Sequence, residues 1–189
     1  MALSTINSNA ITDGTIATGD IADAAVTAAK ASGLGITEAD QWRVTANFSN
    51  SVNGADEVIT SNWERADTSD FEKIGTGLTE SSGTFSFPST GKYYINAHAW
   101  FYPSGASSGL HFKIFVTTDN SSYTTRSLSI SGTSGTDRPH NMAFSTIIDV
   151  TDISNVKFRI VTNGGTNMTW QGSSTYQSIG FNCIRLGDT

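Results

Sequence analysis

Large aliphatic residues recur at every fifth position near the start of the chain. The rungs of this ladder are Ile6, Ile11, Ile16, Ile21 and Val26. A period of five fits neither an α-helix nor a β-strand, so the segment cannot bury its apolar side chains as an isolated element. Stacking on neighbouring copies is the simplest way to bury them. The pattern therefore predicts an extended, self-associating stalk over residues 1–35.

The end of the stalk is compatible with a second structure. Residues 20–30 can instead be read as a short helix, with Asp20 as its N-cap and Gly33 just beyond its end. In either form the aliphatic rungs need a partner, so both alternatives predict stacking or a threefold bundle.

Downstream of the stalk, apolar and polar residues alternate over eight short segments. These segments are 42–48, 85–87, 93–101, 110–116, 128–130, 142–150, 156–160 and 179–183. Gly, Ser and Pro residues separate them, and no long helix interrupts them. The pattern predicts an all-β fold: two antiparallel sheets packed as a jelly-roll sandwich head over residues 36–189.

The predicted strands differ in how many of their faces are apolar. His111 with Lys113, and Lys157 with Arg159, give two strands a polar face, so we expect these strands in an outer sheet. Three other strands are apolar on both faces, which predicts a sheet covered by another subunit. The expected trimer-interface residues on these strands are Tyr94, Trp100, Ile147, Ile148, Ile184 and Leu186.

The predicted connections alternate between tight turns and long Ser/Gly-rich loops. In an antiparallel sandwich successive connections fall at opposite ends, so the long loops 102–109, 131–140 and 163–176 should share the end away from the stalk. Loops on a rigid scaffold often carry recognition residues. The expected distal receptor-binding residues are Tyr102, Arg138, His140, Trp170 and Tyr176.

Composition narrows the possible partners and compartment. The net charge is −6 and only 15% of residues are charged, which argues against binding to nucleic acid or to an anionic membrane. Cys183 is the only cysteine, so no intramolecular disulfide can form and we expect this thiol to pack as a small apolar group. The N-terminal residues lack the pattern of a secretion signal. Together these features predict a virion protein assembled in the host cytoplasm.

The segment before the longest predicted strand carries an aromatic, proline and glycine motif. Gly83–Ile95 reads Gly-Thr-Phe-Ser-Phe-Pro-Ser-Thr-Gly-Lys-Tyr-Tyr-Ile, and it resembles the entry into a central strand of tumour necrosis factor and complement-type heads. Phe144–Val150 with Val156–Phe158, and Ser178–Gly187, resemble later strands of the same family. The resemblance covers roughly residues 41–187 and implies a jelly roll that assembles as a compact homotrimer around one sheet.

The N-terminal repeat carries a second resemblance. Ile11–Lys30 is similar to repeats of bacteriophage tail and virion fibre proteins, in which three chains wind into a thin shaft. Animal members of the head family follow a collagen or secretory segment, whereas this stretch has neither a Gly-x-y repeat nor a signal pattern. The combination favours a phage fibre or appendage.

Candidate catalytic and metal-binding residues are sparse. None of the three histidines sits at metal-ligand spacing from another, and no Gly-x-Ser-x-Gly nucleophile motif occurs. Asp119, Asp149 and Asp152 could bind calcium, but they lack the spacing of a calcium loop, and strand-end turns are the favoured interpretation. We therefore expect no enzymatic activity and no cofactor.

The sequence as a whole favours a non-enzymatic structural protein of a virus particle. Its expected partners are two copies of itself, other virion proteins through the N-terminal segment, and a host surface glycan or protein. Two alternatives stay open at this point: a secreted or cell-surface lectin-like module, and a polysaccharide-degrading tailspike.

Overall fold

Twelve β-strands form two antiparallel sheets in the part of the protein that the computed structural model describes. The structure describes residues 35–66, 72–134, 138–166 and 168–189, together with residues 19, 21 and 22. The strands are β1 (Ala39–Val44), β2 (Asp56–Val58), β3 (Trp63–Arg65), β4 (Thr79–Ser81), β5 (Thr84–Ser86), β6 (Gly91–Pro103), β7 (Ser107–Thr117), β8 (Thr124–Thr133), β9 (His140–Val150), β10 (Lys157–Asn163), β11 (Met168–Trp170) and β12 (Ile179–Gly187). The predicted two-sheet, all-β fold is confirmed.

Four strands are additional to the eight that alternation predicts. They are β2, β3, β4 and β11, and each is only three residues long. A strand of this length gives little evidence of a period of two, so its position depends largely on the strand it pairs with.

Two sheets pack face to face. Sheet I contains β3, β1, β12, β6 and β9 in that order, with β11 also paired to β6. Sheet II contains β4, β5, β10, β7 and β8 in that order, with β2 also paired to β10. As expected, the three strands predicted to be apolar on both faces, β9, β6 and β12, are neighbours in one sheet, and the two strands with a polar face, β7 and β10, are neighbours in the other.

The core between the sheets is dominated by aromatic side chains. Phe85 lies at its centre, stacked on Phe158 at 5.0 Å and edge-on to Phe181 at 4.8 Å between ring centroids. Trp42 and Trp63 pack edge-on against the same ring. These contacts join β1, β3 and β12 of sheet I to β5 and β10 of sheet II, so the cluster fixes how the sheets face each other.

The strand register defines two ends of the sandwich. At the proximal end, Ala39 pairs with Ile184, and the backbone amide of Arg185 donates to the carbonyl of Glu38 at 2.9 Å. The chain therefore enters and leaves the sandwich side by side, next to the turns after β5, β7 and β9. The connections after β6, β8 and β10 lie at the opposite, distal end, as the alternation of connections predicts.

The distal connections are shorter than expected. The predicted loop 102–109 is mostly strand, because β6 continues to Pro103 and β7 begins at Ser107. The predicted loop 163–176 contains β11, which pairs with the end of β6. Two of the three expected long loops are therefore partly built into the sheets.

All twelve strands and the core lie within the compact unit Ile36–Thr189. This unit has a hydrophobic core of its own, which is what independent folding requires. Of the predicted stalk rungs, Ile6, Ile11, Ile16 and Val26 lie outside the described residues, as does the alternative helix over residues 20–30 apart from two positions. Ile21 is described and is exposed.

Candidate interaction face

The outward side of sheet I carries the residues that sequence analysis assigned to an interface. The side chains of strand β6 alternate between the two faces of the sheet. Tyr93, Ile95, Ala97 and Ala99 point into the core, whereas Tyr94, Asn96, His98 and Trp100 point outward and are half-buried. Because β6 lies between β9 and β12, its outward side chains form the centre of this face. We call this surface the interaction face.

An apolar row crosses the proximal half of the interaction face. Tyr94 stands opposite Ile147 on β9 and opposite Ile184 on β12, and Ile184 stands opposite Ala39 on β1. Ile147 is 59% exposed, and Leu186, in an irregularity of the β12 register, is 58% exposed. Apolar side chains from four adjacent strands thus form one continuous strip open to solvent.

A row of neutral polar side chains lies next to the apolar row. Asn96 stands opposite Ser145 on β9 and Asn182 on β12, and Asn182 stands opposite Gln41 on β1. Amides and hydroxyls can both donate and accept hydrogen bonds, so this row can pair with a copy of itself. Sequence analysis did not single it out, although its residues share the parity of Tyr94.

One residue expected at the interface lies on the opposite, core-facing side of the sheet. Ile148 points into the core and is almost fully buried, opposite Tyr93. The reason is parity: Met142, Phe144 and Val150 share its side of β9 and are also buried. Of the two isoleucines, only Ile147 lies on the interaction face.

The distal half of the same face is covered by the chain itself. Residues 171–178, which connect β11 to β12 and which we call the strap, cross the outward side of sheet I. Gln177 donates its side-chain amide to the carbonyls of Trp42 and Phe181, at 2.9 and 3.1 Å, and its backbone carbonyl accepts a bond from His98 Nε2 at 2.7 Å. The strap is thereby fixed to three strands of the sheet.

A glycine makes room for the strap. Gly180 lies on the outward parity of β12, between His98 on β6 and Arg43 on β1. A Cβ at this position would collide with the carbonyl oxygen of Trp42 and would lie 2.7 Å from Cγ of Gln177. Gly180 is therefore required by the close approach of strap and sheet.

Arg43 is also buried on the strapped half. It points outward from β1 yet is 1% exposed, and its guanidinium pairs with the carboxylate of Glu64 on β3 at 2.8 Å. Burying a guanidinium is tolerable only where a counter-charge and hydrogen bonds compensate it, and Glu64 supplies them. The distal half of the face is thus part of the folded head.

The outward side of sheet II carries charged side chains that are paired within the chain. Lys113 donates to Asp56 at 2.7 Å, and Arg159 lies 3.9 Å above the ring of Tyr123. Burial alone would raise the pKa of Asp56, but hydrogen bonds from Lys113 and Asn163 outweigh it and hold the pKa below its ordinary value of 3.8. These charges find partners within the chain.

Two exposed apolar residues of sheet II differ from the apolar row in their arrangement. Leu128 and Ile130 lie on the edge strand β8, and the residues opposite them on β7 are Lys113 and His111. They follow one strand instead of crossing several, so they do not form a continuous apolar strip.

The expected distal receptor-binding residues fall into two groups. Tyr102, Arg138 and His140 lie at or near the distal end, where β6 finishes and β9 begins, and Tyr176 lies in the strap. His140, Tyr176 and the expected interface residue Trp100 line one open depression. The structure thus brings together residues that the sequence assigned to two separate sites.

Trp170 is not available to a receptor. It is fully buried in β11, where its indole nitrogen donates to Asn50 Oδ1 at 2.8 Å. Its ring stacks on Phe48 and packs against Phe101. The expected receptor-binding role is wrong, because this side chain closes the end of the core.

The acidic turn residues hold the turns themselves. The carboxylate of Asp119 accepts bonds from the backbone amides of Ser122 and Ser121 and from the hydroxyl of Thr117, and these bonds hold its pKa far below the ordinary value of 3.8. Asp152 similarly accepts from the backbone amide of Ser154. The interpretation as turn formers is confirmed for Asp119 and Asp152, whereas Asp149 lies in β9 and pairs with Lys92.

Cys183 behaves as the sequence predicts. It is buried in β12 as part of the hydrophobic core, and burial raises the pKa of its thiol. Within the described ranges, no three His, Cys, Asp or Glu side chains are grouped so that they could hold a metal ion. The same ranges contain no helix long and apolar enough to cross a membrane.

Comparison with solved structures identifies the fold. The chain is similar to the Eiger tumour necrosis factor of S. frugiperda, with a TM-score of 0.58 at 12% identity over 82% of this chain and 96% of that one. It is similar to murine APRIL at pH 8.0, with a TM-score of 0.56 at 9% identity over 79% and 98% of the two chains. The head therefore has a tumour necrosis factor-like jelly-roll fold.

One further alignment is weaker. The PRD1 vertex protein P5 aligns with a TM-score of 0.48 at 15% identity, over 81% of this chain and 99% of that one. This score is too low to argue from. No family model matches the chain, and no curated protein matches its sequence.

Proposed function

We propose that this protein is a non-enzymatic, homotrimeric appendage of a virus particle, with a phage fibre or a capsid or tail accessory as the specific form. Residues 1–35 would attach it to other virion proteins and help to hold three chains together. The head over residues 36–189 would present its distal end to the host surface. The proposal joins the repeat pattern of the stalk to the surface of the head.

The observation that carries the self-association is the apolar row of Tyr94, Ile147 and Ile184 with the adjacent Leu186. Fully burying one large aliphatic side chain contributes about 1.5–3 kcal/mol, so a copy of the same row is a strong candidate to cover it. The neighbouring amide row supplies hydrogen-bond partners for the same contact. Trp100, further along β6, would lie at the distal margin of this interface.

The polar, paired surface of sheet II supports the choice of face. Its charges are compensated within one chain, so association there would desolvate ion pairs without covering a continuous apolar strip. In a trimer built on sheet I, the surface of sheet II would stay in water. The low proportion of charged residues in the chain is compatible with such a particle-surface protein.

The oligomer is tested by light scattering on the full chain and on the unit Ile36–Thr189. We expect three copies for both, and dissociation of the Ile36–Thr189 unit after Ile147→Asp, because a carboxylate would enter the apolar row. The matched control is Ile130→Asp, since Ile130 has a similar exposure, 62%, on the other sheet. A monomeric wild-type head, or equal dissociation by both substitutions, would contradict the proposed face.

The location is tested on particles. Electron microscopy of virions with and without this protein should reveal a threefold projection whose slender end meets the particle surface. Purified protein added before infection should also compete with adsorption. Particles that contain no copy of the chain would exclude the virion role, whatever its oligomeric state.

A further inference from the structure

The depression at the distal edge of the interaction face is lined mainly by aromatic and neutral polar residues. Trp100 and Tyr176 supply aromatic rings, His98 an imidazole, and Asn141 and Gln177 side-chain amides; Pro139, His140 and Ser178 complete the lining. The depression is open to solvent on one side, and its volume of about 480 Å³ falls within the range of about 300–1,000 Å³ found for small-ligand sites.

The walls of the depression are fixed by the fold. Gln171 donates its backbone amide to the carbonyl of Trp100 at 2.9 Å, and Trp100 donates its own to the carbonyl of Ser178 at 3.1 Å. These bonds hold both ends of the strap beside β6. His140 stacks on the buried ring of Phe101 with centroids 5.4 Å apart. A ligand would therefore meet a largely preformed site, which lowers the entropic cost of binding.

Tyr176 gives the site an exposed aromatic surface. Its side chain is 56% exposed, although it belongs to a strap whose neighbouring residues are bonded to the sheet. Trp100 packs against Tyr102 at 5.4 Å between ring centroids, which extends the aromatic surface along β6. Aromatic faces of this kind bind the C–H faces of sugar rings, while amide and imidazole groups bind hydroxyls.

The charge of the lining distinguishes between ligand classes. Among the described residues, no Asp, Glu, Lys or Arg lines the depression. Sites for sulfate, phosphate or carboxylate groups typically use Arg or Lys, and sites for cations use carboxylates. The lining thus favours an uncharged, hydroxyl-rich ligand.

From these observations we infer that the depression is a binding site for a neutral saccharide. The inference rests on the proposed attachment function and gives it a substrate class and a place: the sugar ring stacks on Tyr176 and Trp100, and Asn141 bonds its hydroxyls. This assigns recognition to the margin of the interaction face instead of the tips of the distal loops.

Saturation-transfer NMR on the full chain tests the site. The probes are glucose, galactose, mannose and N-acetylglucosamine at millimolar concentration, with N-acetylneuraminic acid as the charged comparison. We expect transfer to at least one neutral sugar and little to the charged one. Absence of transfer to all four neutral sugars, including the case in which a neighbouring copy covers the depression, would overturn the inference.

Matched variants locate the binding. Tyr176→Ala should weaken binding by roughly fivefold or more, since it removes a stacking surface worth about 1 kcal/mol. Asn141→Ala, a second exposed position, should weaken it as well. Tyr123→Ala is the control, because Tyr123 lies against Arg159 on the outward side of sheet II. Equal effects of Tyr176→Ala and Tyr123→Ala would refute the assigned position.

The test separates this inference from the proposed function. Light scattering on the same samples reports the oligomer, and particle microscopy reports the location. A virion-bound trimer without sugar binding would overturn the saccharide site alone. Sugar binding by a monomer that is absent from virions would leave the site in place and overturn the proposed appendage.

Discussion

The two halves of the interaction face show different solutions to the same problem. Both belong to β6, β12 and β1, and both present side chains that point away from the core. In the distal half the chain covers the sheet itself, with the strap fixed by Gln177 and with Arg43 buried beside Glu64. In the proximal half the apolar row around Tyr94 remains uncovered.

This difference shows that an apolar sheet face is not always an interface between molecules. A strand that is apolar on both sides needs a cover, but the cover is either a segment of the same chain or a second molecule. Only the part that the chain leaves open can be assigned to a partner. Here that part is the proximal half, and Trp100 lies at the boundary between the two.

The largest expected effect concerns the residue that precedes the strap. Trp170→Ala should lower the free energy of unfolding by about 3–5 kcal/mol, because it removes a fully buried indole and leaves the buried Oδ1 of Asn50 without the indole donor. Chemical denaturation measures this loss. Tyr176→Ala, at an exposed position of the strap, should stay within about 0.5 kcal/mol of wild type. Equal stability of the two variants would contradict the description of the distal half of the interaction face as part of the folded head.

The next effect tests the contact between strap and sheet. Gly180→Ala should cost about 1–3 kcal/mol, because its Cβ would meet the carbonyl of Trp42 and the side chain of Gln177. Gly187→Ala is the control at the proximal end of the same strand, where an added Cβ meets nothing within 4 Å. Thermal unfolding of both variants compares them, and a Gly180→Ala protein as stable as the control would argue against a closely packed strap.

A smaller effect is expected at the buried arginine. Glu64→Gln should destabilise the head by about 1–2 kcal/mol, because Arg43 would keep its buried charge without a full counter-charge. The value is reduced by the partial exposure of Glu64, which is 44% for the side chain. Denaturation of Glu64→Gln and of Arg43→Met shows whether the buried charge is the cause of the loss. Arg43→Met removes the ion pair together with the buried charge, so it should cost less than Glu64→Gln.

The smallest effect is expected at the proximal margin. Asp149→Asn removes the exposed ion pair with Lys92, whose two side chains are about half exposed, and should change the unfolding free energy by less than about 0.5 kcal/mol. It is best measured in the Ile147→Asp background, where association does not contribute. A loss of unfolding free energy as large as that of Glu64→Gln would contradict the difference described between the proximal and the distal half of the interaction face.

Much of the fold could be predicted because its signals are local. Strict alternation along β6 identifies its two faces, and the polar parities of β7 and β10 identify sheet II. The correct choice between Ile147 and Ile148 was also present in the sequence: Met142, Phe144 and Val150 share the parity of Ile148, so that residue belongs to the core.

The missed features depend on contacts distant in sequence. Trp170 lies in a three-residue strand whose hydrogen-bond partner, Asn50, is 120 residues away, so no local period reveals its burial. The strap left one readable signal, since a glycine inside a strand often indicates the close approach of another segment. Gly180 is that glycine, but only the structure shows which segment approaches it.

Glu38 and Arg185 are hydrogen-bonded neighbours, so the first and last strands of the head bring its two ends close together. A short linker between residues 36 and 189 would bridge neighbouring positions, and new ends could be opened in the connection between β6 and β7 without crossing a strand. In such a circular permutant, a segment fused to the new ends would emerge from the end of the sandwich opposite residues 36 and 189.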